Sequence, residues 1–315
     1  MWLLLKYTLL YAAVLTLVAL GGMFSERSGV INIALEGIMV IGGLVGVVAI
    51  NLLNACGAPV FLGVIAAVLA SAVAGLLYSS LLAFSAINLK ADQTIGGTAL
   101  NLLATALAMV IAKRINGSDS PKIVYSTNSN KIFNSANFSF QVGPLTLNWF
   151  LLVTVIALAA AWFILYRSRF GMRLMACGEH PQAADSVGIN VYKMRWAGVL
   201  MSGALGGIGG MAYIVPAVGE WNFEMGVAGM GFLALAVMIF GQWKPLNIAA
   251  AALFFAVFRA MANIYDSFGF LARLGWPKEI YNMMPFVASM IVLAFTSKSS
   301  RAPKAEGIPY DKGSR

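Results

Sequence analysis

Across 315 residues, 60% of the side chains are hydrophobic, 10% are charged, and the mean hydropathy is +0.82. A soluble domain carries roughly 45–50% apolar and about 25% charged residues, so this chain lacks a polar coat, which excludes soluble enzymes and nucleic-acid binders. The net charge of +9 fits the basic loops that anchor the cytoplasmic side of membrane proteins. Two cysteines with no CxxC spacing supply neither a thiolate metal site nor a disulfide framework.

Crossing a hydrocarbon core of about 30 Å takes about 20 apolar residues in a helix. The sequence predicts an all-α polytopic bundle of about nine such segments: Leu3 to Met23, Val30 to Leu53, Pro59 to Ala86, Thr94 to Ala112, Leu147 to Tyr166, Trp196 to Pro216, Val227 to Phe240, Leu246 to Ile264, and Ile280 to Thr296. The first follows a single lysine but ends in GGMFSERSG with no small-residue cleavage site, so it reads as a retained helix. The seventh is short, and glycines interrupt several runs, which leaves room for a broken or re-entrant helix.

In the second run, Glu36 is a carboxylate inside a span, with Asn32 four residues before it on one expected helical face. Glu36 either faces a wet pathway or caps a neighbouring helix. In the fourth, Gln93 either starts the helix or joins the path, and Asn101 lies deeper, where a polar side chain must find a partner or line a pathway. The insertion 116–148 mixes Asn and Ser with Val, Tyr and Phe, as a hairpin or loop would.

Residues 167–195 interrupt the hydrophobic pattern without resembling a linker. Pro181 suits the first position of a helix and Gly188 the position just past its end. Ala183, Ala184 and Val187 would then form a small apolar face on a short exposed helix, suited to close contact with a partner protein. In the sixth run, Gly207 to Ala212 fits a G-x-G-x-x-A nucleotide pattern, but it lies inside an apolar helix; Gly203, Gly206, Gly207 and Gly210 read as helix-packing positions. There is no phosphate-cradling G-x-x-x-x-G-K-[ST] motif, a single histidine (His180), and no nucleophile–base–acid arrangement. No cofactor or metal site is expected.

Arginine and lysine orient the spans. Residues 167–195 and the tail 298–315 each carry five, and placing both inside puts thirteen basic residues inside against seven outside. The expected topology is N-terminus out and C-terminus in, with the insertion 116–148 outside, Cys56 near the outer face and Cys177 inside, so the two do not pair. One membrane domain, 1–297, is followed by the tail 298–315.

Five blocks recur in order across this chain: ERSGVINIALEGIM (Glu26 to Met39), IGGTALNLLA (Ile95 to Ala104), GEHPQAADSVGINV (Gly178 to Val191), SGALGGIGGMAY (Ser202 to Tyr213) and GMGFLALAVMIFGQWKPLN (Gly229 to Asn247). Through them the chain resembles the permease subunits of bacterial ABC importers, in the group serving branched-chain amino acids, ribose and related solutes, and within it the nucleoside and simple-sugar branch. The resemblance implies a multi-pass protein of the bacterial inner membrane that binds no ATP itself. It also implies a second, similar permease, a cytoplasmic ATPase and an extracytoplasmic substrate-binding lipoprotein as partners, besides membrane lipid.

The segment Gly178, Glu179, His180, Pro181, Ala183, Ala184, Gly188, Ile189 and Asn190 would dock into the ATPase, with His180 standing where a small polar residue is usual. Asn32, Glu36, Gln93 and Asn101 are the candidates for the solute path. Alternatives are a sugar or flavin permease of the same architecture, and a stand-alone secondary transporter or channel, for which an inverted repeat and intramembrane charges such as Arg259 would speak.

Overall fold

Several of the apolar runs begin where a polar side chain takes over the first free amides. The computed structural model describes residues 2–125, 138–142, 145–216, 220–267, 273, 275, 277–296 and 301–313. Its helices are α1 (Trp2–Arg27), α2 (Leu35–Ala55), α3 (Val60–Ala83, extended by a π-helical turn Phe84–Asn88) and α4 (Gln93–Asn116). They continue with α5 (Trp149–Arg167), α6 (Arg169–Glu179), α7 (Pro181–Ser186), α8 (Val191–Ile214), α9 (Met230–Phe240), α10 (Pro245–Asn263) and α11 (Lys278–Thr296). Asp92 caps α4, accepting from the amides of Thr94 and Ile95 at 2.8 and 2.9 Å. Asn148, Ser168 and Asn190 cap α5, α6 and α8 in the same way.

Among the described residues, eight helical segments are long and apolar enough to cross a membrane, one of them (Phe223–Phe240) only when the turn before α9 is counted with it. The ninth expected span is also a helix, α11, which carries Pro285 and packs on α10 and α9. The most buried spans are α1 and α8, while α3, α4 and α5 are mostly exposed. On those three, Phe61, Leu69, Leu77, Leu102, Val110, Val155 and Ile156 turn outward, a surface stable only against lipid or another apolar chain.

Glycines set the centre. A methyl group on Gly207 would meet the Ser71 carbonyl and Gly75, one on Gly203 would meet the Gly75 carbonyl and Ser79, and one on Gly210 would meet the Met39 carbonyl. At Gly206 it would come 2.9 Å from Ile38. The backbones of α2, α3 and α8 therefore nearly touch, and the Ser71 hydroxyl sits 2.8 Å from the Gly42 carbonyl and 2.6 Å from that of Gly207.

Part of the insertion 116–148 is extended. Strand β1 (Lys122–Val124) pairs antiparallel with β4 (Glu220–Asn222), and β2 (Ser139–Val142) pairs antiparallel with β3 (Leu145–Asn148). Residues 126–137 and 143–144 of the insertion, and 297–300 and 314–315 of the tail, lie outside the described residues.

The two ends of the bundle carry different sets of connections. Arg27, Lys90, residues 167–190, Lys244 and residues 301–313 gather at one end: Arg27 lies 3.8 Å from Glu179, and Lys90 lies 3.0 Å from Asp311. The start of α1, β1 to β4 and the α2–α3 connection lie at the other, where Asn51 donates to the Val124 carbonyl at 3.1 Å. Cys56 is exposed, Cys177 is buried, and both are free.

Candidate translocation seam and coupling face

Two of the spans do not start at the surface. Residues 28–34 leave α1, turn at Gly29 (φ +97°) and climb back without helical structure, so that Leu35 begins α2 level with Gly22 of α1. The second break is 223–229, a 3-10 turn followed by Gly226 and Gly229, both at positive φ (57° and 75°). It delivers the chain to α9, which has 11 residues and so spans about 16 Å, roughly half of a bilayer core. Non-helical backbone at this depth is stable only when its amides and carbonyls are paired inside the protein.

The sequence-selected polar residues supply that pairing. Glu36 accepts from the amide of Gly229 through Oε1 at 2.9 Å and from Gly231 through Oε2 at 2.7 Å, with the Val227 and Phe232 amides acting on the same carboxylate. It caps the N-terminus of α9, where a negative charge is favoured by the aligned peptide dipoles. Asn101 on α4 accepts from the Gly37 amide at 2.7 Å and donates to the Ile33 carbonyl at 2.9 Å. Gln93 accepts from the Ile31 amide at 2.7 Å; the cap of α4 is its neighbour Asp92. Asn32 donates to the Ser202 hydroxyl on α8 at 2.8 Å.

One expectation is corrected. Asn32 and Glu36 do not share a helical face, because the helix begins after Asn32; Asn32 turns to α8 and Glu36 to α9. Asn32, Gln93 and Asn101 are buried within the chain, and Glu36 is partly exposed. Arg259, the intramembrane charge noted in the sequence, donates from Nη2 to the Tyr213 hydroxyl at 3.1 Å and lies 5.8 Å from the centre of the Tyr11 ring. Composition gave no reason to single out these two tyrosines.

At the end of the bundle that holds Arg27, α6 and α7 form a rigid shelf. Pro181 occupies the first turn of α7, and Gly188 (φ +83°) follows its end, both as the sequence predicts. Gln182, Ala183, Ser186 and Val187 are exposed, Val187 by 75%. Ala184 departs from the expected exposed face: it is buried against Cys177, Val191 and Tyr310. Burial pushes the Cys177 thiol up to about 11, against the opposing charge of Arg195. The packing explains the departure. Residues 183 and 184 are 100° apart on a helix, so a two-turn helix lying on α6 and α8 exposes only one of them.

Residues 4–294 match the family described as branched-chain amino acid transport system / permease component. The chain belongs to this permease family. It is 39% identical over 315 residues to the guanosine ABC transporter permease protein NupQ of Bacillus subtilis, covering 98% of this chain and 96% of that one. It is 38% identical over 318 residues to the nucleoside ABC transporter permease protein NupC of Lactococcus lactis, covering 96% and 95%. A second L. lactis protein, the nucleoside ABC transporter permease protein NupB, is 25% identical over 205 residues, covering 64% of this chain and 54% of its own length. The polytopic helical permease expected from the five sequence blocks is therefore the right family and architecture. Among the described residues there is no cluster of three or more His, Cys, Asp or Glu that could hold a metal ion.

Proposed function

We propose that this permease is the translocation subunit of an ABC importer for nucleosides in the bacterial inner membrane, with α7 at the cytoplasmic face and the start of α1 outside. The observation that carries the reading is the exposed strip Gln182, Ala183, Ser186 and Val187 on a short helix locked between α6 and α8, at the end of the bundle richest in Arg and Lys. A helix so held passes a push from a partner to the bundle instead of bending.

In this reading the segment from Gly178 to Asn190 receives the stroke of a separate ATPase. A second, similar permease completes the path, as NupB beside NupC in one organism suggests, and a binding lipoprotein delivers the solute. Asn32, Glu36, Gln93 and Asn101 serve the path by fixing its wall at the two helix breaks. Rigid-body tilting of the bundle, with the breaks as fixed points, alternates access.

The test is capture and transport. Full-length chain should co-purify with its ATPase, and Ala183→Glu with Val187→Glu should abolish capture while leaving the chain folded, because both positions are exposed. Capture unaffected by that double change would sink the coupling assignment. The binding protein encoded beside this chain should bind a nucleoside; a sugar or flavin bound instead would replace the solute and leave the architecture.

A further inference from the structure

Residues 301–313 run across the coupling end of the bundle and touch several of its connections in turn. The amide of Ala305 donates to the Gly178 carbonyl at the end of α6 at 2.9 Å, and the amide of Gly307 donates to the Gly29 carbonyl in the α1–α2 break at 3.3 Å. Glu306 hydrogen-bonds Glu26 at the end of α1, whose Oε2 also accepts from the Trp243 indole, in the α9–α10 turn, at 2.6 Å. The Ile308 carbonyl accepts from Nη1 of Arg195 at 2.9 Å. Tyr310 is buried, edge-on to Tyr192 with 5.4 Å between ring centres, and packs with Cys177, Ala184 and Val191. Asp311 pairs with Lys90 in the α3–α4 connection at 3.0 Å, and Lys312 pairs with Asp185 of α7 at 3.7 Å.

Arg195 makes this more than a draped peptide. It is among the largest fully buried side chains, 1% exposed, and within the described residues its guanidinium has the Ile308 carbonyl as acceptor for Nη1 while Nε and Nη2 are unpartnered. A buried cation with one acceptor is costly to strip of it. The side chain also lies against Gly29, where an added methyl group would come 2.8 Å from Nη2. Arg195 therefore joins the base of α8, the α1–α2 break and the tail at one point.

We propose that residues 301–313 are a strap that makes the coupling segment and the α1–α2 break move as one body, with Arg195 and Tyr310 as its positioning residues. The strap turns a push on α7 into movement of the break that carries Asn32 and leads into Glu36 at the start of α2. Without it, α7 is tied to the seam only through α6 and α8, and ATP hydrolysis slips against transport.

The proposal rests on the ABC reading above, and the experiment separates the two. The complete complex, with its second permease, ATPase and binding protein, is reconstituted in proteoliposomes, and guanosine imported per ATP hydrolysed is measured. That ratio is independent of how much complex assembles, so a merely stabilising tail would not move it. Ending the chain at residue 300 should lower the ratio at least fivefold while hydrolysis continues. An unchanged ratio overturns the strap, even if the yield of complex falls. If the shortened chain does not assemble, Tyr310→Ala replaces it, with a two- to fivefold loss expected and an unchanged ratio again overturning the strap. Absence of ATP-driven uptake by the full-length complex would instead overturn the transport reading itself.

Discussion

Replacing Glu36 by Gln probes the seam most directly, because the two side chains have nearly one shape. The carboxylate accepts from the amides of Gly229 and Gly231 with separate oxygens. Glutamine keeps one acceptor and turns an NH₂ group toward the other amide, leaving a buried N–H unpaired at a cost of about 1–3 kcal/mol. It also removes a charge from a helix N-terminus, worth up to about 2 kcal/mol in partly buried geometry. The combined loss is about 2–4 kcal/mol of the free energy that holds α9 in place. At a factor of ten per 1.4 kcal/mol, the first-turn amides of α9 should open about 30- to 700-fold more often. Amide exchange of the protein in nanodiscs reads this directly: peptides covering 227–233 should exchange faster by that factor while α5 is unchanged, and nucleoside uptake should fall at equal expression. Wild-type exchange at 227–233 would refute the capping argument, and wild-type uptake would reduce Glu36 to a packing residue.

Asn101→Leu removes the acceptor of Gly37 and the donor to Ile33 together, leaving two buried backbone groups unpaired; about 2–4 kcal/mol should be lost, read as a lower thermal midpoint in nanodiscs, and an unchanged midpoint would contradict the pairing. Gly207→Ala pushes a methyl group into the backbone of Ser71 and Gly75. It should cost about 1–3 kcal/mol or more by overpacking, and a variant as stable as the parent would mean that α3 and α8 are less closely packed. With its thiol pushed up to about 11, Cys177 is ionised in about one molecule in a thousand at pH 8. A maleimide at that pH should therefore modify one cysteine per chain, Cys56, and a second should react once residues 301–315 are removed. Burial raises the Glu306 carboxyl above its ordinary value, against the hydrogen bond to Glu26 and the charge of Arg27, which pull it down. A raised carboxyl favours the docked tail while it is protonated, so attachment is fullest below the ordinary carboxylate value and is lost as pH rises through the docked value. Amide exchange at 305–308, corrected for its intrinsic pH dependence, should show this loss in the parent and not in Glu306→Gln.

The spans were legible because apolar length acts locally; the caps Asp92, Asn148, Ser168 and Asn190, each fixing its own helix start, were not read from the sequence. The grouping of Arg27, Lys90 and Lys244 with residues 167–190 was legible too, since these residues fall at one end of the bundle. What stayed hidden depends on pairs far apart in the chain. Glu36 could be seen as costly, with capping as one of its two outcomes, but its partners Gly229 and Gly231 lie 193 and 195 residues away. The helical face drawn through Asn32 and Glu36 failed because hydropathy runs on through residues 30–34, whose backbone is paired outside a helix by Ser25 and, from another segment, by Gln93 and Asn101. Ala184 was misplaced for a similar reason: a two-turn helix has too few residues to reveal which side rests on its own protein. Of the tail only the charges were read, and its contacts run through backbone carbonyls and through Tyr310, which has no periodic signature in sequence.

The same seam bears on the kind of solute that can pass. A half-helix whose N-terminus ends deep in a bundle is an anion site in many transporters, because its free amides and dipole meet the ligand's negative group. In this permease that position is already filled by Glu36, which takes up the amides of Gly229 and Gly231 and offsets the dipole. Arg259 is likewise engaged, donating to Tyr213 and resting over Tyr11. A phosphorylated solute would meet the Glu36 carboxylate at the start of α9. A neutral solute with hydrogen-bonding edges and a flat ring needs neither charge, which fits the nucleoside import proposed above.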